Sequence, residues 1–467
     1  MGDFFQLNRR AFLGRYAGAV GSLALADLLA ATSPSAAQAA TPALPPGAGR
    51  AKAVICLFQH GGPSQMDLFD AKPELARHDG KPYEGELEVH FHEQKGNVLA
   101  SPFAFRPAGQ CGMPLSEILP HTAGIADELT LVRSMTTESV DHEAALRLIH
   151  NGKIMADRPV MGSWVAYALG TENRDLPAYV VLSDPGGLPV DGIRNWQSGW
   201  LPALYQGTPF RAKGAPVLHL SNPEGVTAQA RRGELAFLES LNRDHLARHP
   251  GYSELEARIA NFETAARMQS AVPEILDLSG ETEATRQMYG LDNPTTAEYG
   301  ARCLLARRLV EQGVRYVQVF MSGQPWDTHA KNADNLRGLC ARTDQPSAAL
   351  VADLKQRGLL DSTIVLWTGE FGRLPISQKA DGRDHNRHAF SLWLAGGGFR
   401  RGYVHGATDD FGYKSVTDVV NVHDLHATLL TALGLDHTRL TFPHDGRDDS
   451  LTDAEVTKAS VVRELFA

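Results

Sequence analysis

Cysteine is scarce in this chain. Its 467 residues include four, Cys56, Cys111, Cys303 and Cys340, and no two share the short spacing of a thiolate metal site. Four cysteines allow three disulfide pairings, and a core of this size needs no covalent staple, so burial as small apolar side chains is the expectation. Positive charge is short as well. Forty-five Lys and Arg face 54 Asp and Glu, a net charge of −9. Basic runs such as "GFRRG" are brief and isolated, which argues against a nucleic-acid partner. No Gly-x-Gly-x-x-Gly follows a strand-like run and there is no haem motif, so an oxidoreductase reading has no support. Repeats and low-complexity tracts are missing beyond the N-terminal segment.

What is present is a globular composition, 43% hydrophobic and 21% charged. It is long enough for one large α/β domain or two smaller ones. The N-terminus carries "NRRAFLG", then the apolar "YAGAVGSLALADLLAA", then Ala37-Gln-Ala39 in A-x-A form. Paired arginines, modest hydrophobicity and a small-residue cleavage site make a twin-arginine export signal. The apolar segment is too short and too rich in Gly and Ala for a comfortable membrane span. The expected organisation is a signal over 1–39, a Pro/Gly linker over 40–50 and one domain over 51–467. The expected location is periplasmic or extracellular, with the twin-arginine translocase as partner during export.

The run "AVICLF" is continuously apolar and stops at Gln-His-Gly-Gly-Pro, the pattern of a fully buried strand. "ELTLVRSM", "AYVVLS", "VRYVQVFM", "STIVLWTG" and "FSLWLAGGG" have the same form. Between them lie helix-like patterns: "LSEILPHTAGIAD", "HEAALRLIHNG", "AEYGARCLLARRLVEQG", "PSAALVADLKQRGLL" and "VHDLHATLLTALGL". This alternation predicts an α/β fold with a doubly wound, mostly parallel sheet. Residues 185–290 read as an insertion, a Gly/Pro/Trp-rich loop followed by a polar helical segment.

In such sheets the polar residues just after strand ends line the ligand crevice. Four clusters stand at such places. They are His60-Gly-Gly-Pro-Ser64 with Asp67 and Asp70, Asp141-His142-Glu143, Asp327-Thr-His329, and Glu370 followed by Asp384, His385 and His388. Carboxylates mixed with imidazoles suit Zn, Mn or Fe rather than Mg or Ca. His60 and His142 are candidate acid–base or catalytic groups, and Ser64 and Ser139 candidate hydroxyls. Arg194, Trp196 and His388 are candidate substrate contacts, with Trp196 and Trp200 able to stack on a sugar or another planar face. Bland readings stand beside these: Asp141 as a helix N-cap, Asp67 and Asp70 as caps or solvated groups, and His423 and His426 as packing or surface positions.

"GLLDSTIVLWTGEFGR" resembles the sulfatase segment in which a strand ends at an Asp-His-Gly metal motif. "GRDHNRHAFSLWLAGGG" is similar to the Gly-x-Asp-His-x-Arg segment of phosphopentomutases, and "VHDLHATLLTALGL" to a sulfatase helix. Together they resemble the alkaline phosphatase-like superfamily. More closely, "HGGPSQMDLFD", "LPVDGIRNWQSGWLPALYQGTP", "WTGEFGR" and "GRDHNRHAF" resemble an exported family, domain of unknown function 1501. The superfamily resemblance implies an α/β fold with a two-metal hydrolase site. It implies Asp327, His329 and His385 at one metal, and Glu370 where the second metal's Asp stands. The sequence departs from that pattern in four places. Phe371 takes the place of the second metal's His, His60 that of the strand-one Asp, His142 that of the nucleophile, and Cys-x-Pro-x-Arg is absent. One cation and a working pair both remain open. The functional expectation is an exported metal-dependent hydrolase of phosphate or sulfate esters, acting on a small molecule or glycan. The alternative is a catalytically degenerate envelope binding or assembly protein on the same fold.

Overall fold

Side chains of the run "AVICLF" alternate between two different apolar layers. Ile55 and Leu57 belong to one, and Val54, Cys56 and Phe58 to the other. A strand buried on both faces needs helices on both faces, and that is the architecture found in the computed structural model. It describes residues 44–90, 92–211, 225–249 and 253–467. The expected export signal and residues 40–43 of the expected linker lie outside the described residues.

The strands of the main sheet are β1 (Ala53–Phe58), β2 (Leu129–Thr136), β3 (Tyr179–Leu182), β4 (Thr208–Phe210), β5 (Tyr316–Val319), β6 (Thr363–Thr368), β7 (Phe390–Gly396), β8 (Tyr403–His405) and β9 (Val420–Asn421). Their order is β8-β2-β7-β6-β1-β5-β3-β4, with β9 also on β2. Of these nine, β7 alone runs antiparallel to its neighbours. The fold is therefore α/β, doubly wound and mostly parallel. The longer helices are α1 (His142–Asn151), α2 (Met161–Leu169), α3 (Ala228–Arg248), α4 (Ser253–Leu276), α5 (Ala297–Glu311), α6 (Asn332–Gln356) and α7 (Val422–Ala432). Helices α5 and α6 cover the Ile55 face through Leu304, Leu350 and Leu354. Helices α1, α2 and α7 cover the other through Leu146, Val165 and Leu429. Among the described residues no helix is long and apolar enough to cross a membrane.

Three expectations change. The pattern over 115–127 gives only a short helix, Pro120–Gly124, after the strand Met113–Ser116. Pro120 disfavours helical backbone at the residue before it and starts the turn instead. Helix α6 begins well before Pro346, because Leu336, Leu339 and Cys340 extend its buried stripe upstream. Within 185–290, β4 returns to pair with β3, so part of the expected insertion belongs to the sheet. Of the four cysteines, three are buried, Cys111 is exposed, and all are free thiols.

Two imidazoles are packed into the α1/α7 layer. His426 donates from Nε2 to the Ile149 carbonyl (2.8 Å). Burial pushes His150 down to about 3 and His426 down to about 4. Both rings stay neutral in the native state at pH values where the unfolded chain protonates them. Their contribution to stability is complete above pH 6.5 and declines as pH falls towards 4, because the unfolded state then binds more protons. Each is expected to lower the unfolding free energy by about 1.4 kcal/mol per pH unit across that window. Urea unfolding at pH 7, 5.5 and 4.5 checks this: His426→Gln should lose less stability on acidification than wild type. Equal slopes would show that His426 is not held neutral.

Candidate metal centre

The sheet order sets the site. Strand β1 lies between β5 and β6, so the loops that leave their C-terminal ends meet. They meet closely. Gly61 has φ +110, and a Cβ there would stand 2.4 Å from the Asp327 nitrogen. Gly62 has φ +73, and its Cβ would strike the Phe371 ring at 2.6 Å. Glycine alone combines these backbone angles with that approach. The Trp326 amide donates to the His60 carbonyl (3.0 Å) and the Gly61 amide to Glu370 Oε1 (2.8 Å), which locks the three loops together. Helix α1 contributes its first residue, His142, behind the N-cap Asp141, whose side chain accepts from the Ala144 amide. The bland reading of Asp141 thus holds.

Three imidazoles face one carboxylate. Nε2 of His329 and His385 lie 3.0 and 3.2 Å from Asp327 Oδ1, and Nε2 of His142 lies 3.5 Å from Asp327 Oδ2. On each ring Nδ1 is turned to an acceptor. His142 Nδ1 donates to Glu370 Oε1 (2.7 Å) and His385 Nδ1 to the Val140 carbonyl (2.7 Å). His329 Nδ1 meets Gln378 Oε1, an atom oriented because Gln378 Nε2 donates to Gln94 Oε1 (2.7 Å). Burial lowers His385 to about 4 in spite of its contact with Asp327. Its Nδ1 faces the Val140 carbonyl, which leaves Nε2 as the nitrogen aimed at Asp327. Imidazoles aimed by partners on the far nitrogen are the arrangement of metal-ligating histidines. Ligand atoms of His142, Asp327 and His385, and of His329, Asp384 and His385, each fall within 4.8 Å of one another. The donor set fits a divalent cation.

The electrostatics agree. Burial alone raises a carboxyl, yet hydrogen bonds to the three imidazoles and the charge of Arg373 hold Asp327 far below the usual carboxylate range. Burial disfavours a charged His142, but Asp327 and Glu370 outweigh it and raise that ring to about 9.

The other expected residues take varied places. Asp384 is buried beside the cluster and accepts from the His385 and His90 amides (2.8 and 3.0 Å). Glu370 falls outside both convergent ligand sets, although its buried Oε2 has no hydrogen-bond partner among the described residues. Its Oε1 orients His142, and Phe371 stacks near His142 and His385 (ring centroids 4.8 and 4.6 Å). His60, expected as a catalytic group, is fully buried between Phe58 and Phe320 (4.6 and 5.1 Å) and cannot meet a substrate. Burial holds its pKa well below the ordinary value, so it is a neutral core imidazole. Ser64 is no free nucleophile. It is buried and donates to Asp67 Oδ2 (2.6 Å). Ser139 is at the surface, where its hydroxyl accepts from the Asp141 amide (3.0 Å). Trp196 is 2% exposed and packs against Phe320 (5.6 Å), so no face is left for stacking. Arg194 is half-exposed and pairs with Asp191 (3.2 Å), and His388 pairs with Glu88 (2.8 Å). Asp67 and Asp70 are buried, which overturns the solvated reading. Asp67 binds Arg383, and Asp70 lies near Lys72 and Arg133 (3.2 and 3.4 Å). His423 and His426 are buried packing positions.

Sequence reasoning passed over three residues. Arg373 is fully buried and donates from Nη2 to Asp327 Oδ1 (2.6 Å). Arg383 and Gln378 brace the 378–385 loop. The available signal was the apolar frame of "FGRLPI", which sets Arg373 among residues that are all buried.

Fold and site together define an α/β protein with a His/Asp cluster at the carboxyl ends of central parallel strands. The chain belongs to the family described as "Protein of unknown function (DUF1501)", whose model matches residues 51–466. Comparison with curated proteins gives no match. Among solved structures the chain is similar to a sulfatase from Pseudoalteromonas sp. (12% identity, 90% of this chain and 76% of that one, TM-score 0.34). It is also similar to a phosphonate monoester hydrolase from Silicibacter pomeroyi (10%, 88% and 78%, TM-score 0.32). A third is a TAB5 alkaline phosphatase variant with bound Mg (10%, 84% and 99%, TM-score 0.33).

Proposed function

We propose that this chain is an exported metal-dependent hydrolase of phosphate or sulfate esters, built on an alkaline phosphatase-like fold. The observation that carries the reading is the convergence of three Nε2 atoms on the Asp327 carboxylate, with every Nδ1 engaged elsewhere. Asp327, His329 and His385 would hold the cation with His142, and Asp384 stands beside them. Glu370, Gln378 and the Val140 carbonyl orient the rings and fix which nitrogen carries the proton. A nitrogen-rich set favours Zn, Mn or Fe. When bound, such an ion supplies Lewis-acid polarisation of an ester oxygen. The attacking group is water or a hydroxyl, and of the two serines considered only Ser139 has an accessible Oγ. Arg194 and His388 keep exposed surface with which to meet a small-molecule or glycan ester. Export rests on "NRRAFLG" and the A-x-A site downstream of it. That motif supports a periplasmic or extracellular location and passage through the twin-arginine translocase, with residues 1–39 removed and the domain starting near residue 51.

One observation favours the second reading, an envelope binding or assembly protein that keeps the ion without turnover. Phe371 fills the place beside His142 and His385 where a further polar group would assist chemistry. The deciding experiment uses protein produced with its signal intact and with Zn, Mn and Fe supplied. Metal content is measured by mass spectrometry, and hydrolysis with 4-nitrophenyl phosphate and 4-nitrophenyl sulfate. Bound metal with turnover is the expected result. Metal without turnover on these or a wider ester panel moves the protein to the second reading, and protein without stoichiometric metal sinks the hydrolase.

A further inference from the structure

Resting on that reading for the nature of its ligand, we infer that the crevice holds an oxyanion subsite beside the metal centre, built from Arg302, Arg342 and Ser322, which takes a second acidic group of the ester. Strands β3 and β5 are parallel neighbours, so the loops after them leave the sheet at the same edge. Asp184 stands on the first loop. Ser322 stands on the second, which continues to Asp327. The Gly323 amide donates to the Leu188 carbonyl (3.1 Å) and Gln324 Nε2 to Asp327 Oδ2 (3.2 Å), which joins this corner to the metal centre.

Charge at the corner is unequal. Asp184 Oδ2 accepts from Arg302 Nη2 on α5 (2.8 Å) and from Arg342 Nη2 on α6 (2.9 Å), and Oδ1 accepts from the Gly186 amide (2.8 Å). Burial pushes the Asp184 carboxyl up, but Arg302, the Gly186 amide and Arg342 outweigh it and hold it below the ordinary range. One negative charge therefore faces two positive ones, since arginine stays protonated when buried. Among the described residues no other carboxylate pairs with either arginine. Arg302 is 3% exposed, and its Nε and Nη1 meet no hydrogen-bond acceptor; the Tyr299 ring lies 5.6 Å from its guanidinium. Buried donors left in this state call for an acceptor. The Arg342 side chain is 30% exposed and opens the corner to solvent.

The space beside these groups is bare because residue 186 is glycine. A Cβ there would stand 2.7 Å from Ser322 Oγ and 3.0 Å from Asp184 Oδ1. A hydroxyl donor thus faces the same cradle as the carboxylate, whose two oxygens are both already bonded. Sulfate, phosphate and carboxylate share the oxygen edge that a guanidinium grips. The substrate class is therefore an ester that carries a further acidic group, one group at the metal and the other at Arg342.

The test uses metal-loaded protein produced with its signal intact. Crystals soaked in selenate should show anomalous density between Arg342 and Ser322, and Arg342→Gln should lose it. That variant leaves Asp184 paired with Arg302; should it fail to fold, Ser322→Val, which breaks no ion pair, takes its place. In solution, alkane bisphosphonates of increasing chain length are compared by calorimetry with the matching monophosphonates. At the length that spans both sites the bisphosphonate should bind at least about tenfold tighter, the worth of one charge-assisted contact, and either variant should level the two. No selenate at Arg342, or selenate retained in both variants, would overturn the subsite. Selenate there with no bisphosphonate advantage at any length would mark an adventitious ion only and overturn it as well. Monophosphonates that fail to bind would count against the metal centre and the hydrolase reading, and the selenate result would then decide the subsite alone.

Discussion

Asp327→Ala is expected to abolish metal binding and to destabilise the protein by roughly 3–5 kcal/mol, the range for a buried ion pair stripped of one partner. The stability loss comes from Arg373. Its guanidinium is fully buried against Asp327 Oδ1 and keeps its charge when the carboxylate is gone. Four backbone carbonyls still accept from it, which places the effect at the lower end of the range. The metal loss has a separate cause, removal of the carboxylate that all three Nε2 atoms face. Asp327→Asn separates the two. Its amide oxygen can still accept from Arg373, so most of the stability should remain, while metal affinity falls more than about 100-fold, beyond the usual effect of losing an outer partner. Urea unfolding of the apoproteins and metal titration read the two effects independently. An alanine variant with the wild-type midpoint would show that Asp327 does not balance the arginine.

A loss of stability at least as large is expected at Asp67. Asp67 and Arg383 are both fully buried and share two hydrogen bonds (2.8 and 3.0 Å). Ser64 and Asn332 also donate to Asp67 (2.6 and 2.9 Å), and together with Arg383 they hold its carboxyl below the ordinary range against the effect of burial. Asp67→Ala takes the acceptor from Ser64 and Asn332 and the paired carboxylate from Arg383. The cost is expected at about 3–5 kcal/mol: Arg383 keeps the Leu374 and Leu99 carbonyls (3.2 and 3.0 Å), but among the described residues no other carboxylate is paired with it. Asp67→Leu combined with Arg383→Met should be much less harmful, since it removes both charges from the interior. Thermal or urea unfolding of the single and double variants checks this. Equal losses in both would mean that packing, not the stranded guanidinium, sets the effect.

The strand ends were legible because the signal is local. A run of apolar residues that stops at Gly, Pro or a polar residue marks a buried strand, and the next few residues stand at the crevice. Asp327 and Glu370 were found in that way. The same rule misplaced His60, which also comes directly after a strand yet turns into the aromatic pair Phe58 and Phe320. Position along the chain does not say to which side a loop residue points. Trp196 failed for a related reason: an aromatic in a Gly/Pro-rich loop covers a ligand or fills the core, depending on what packs over it. Asp67 and Arg383 were hidden because charged residues in polar stretches read as solvated, and Arg373 because its apolar frame does not say which carboxylate it meets. Their burial depends on partners far away, as with Asp67 and Arg383, 316 residues apart.

The sequence by itself determined the α/β alternation and the donor chemistry, since apolar periodicity and residue type are properties of short segments. Only the tertiary structure decided which donors meet. His142 and Glu370 are 228 residues apart, and Asp327 and His385 are 58 apart. Each pair becomes close because β1 is inserted between β5 and β6, an ordering set by burial on both faces of the sheet and not by any one segment.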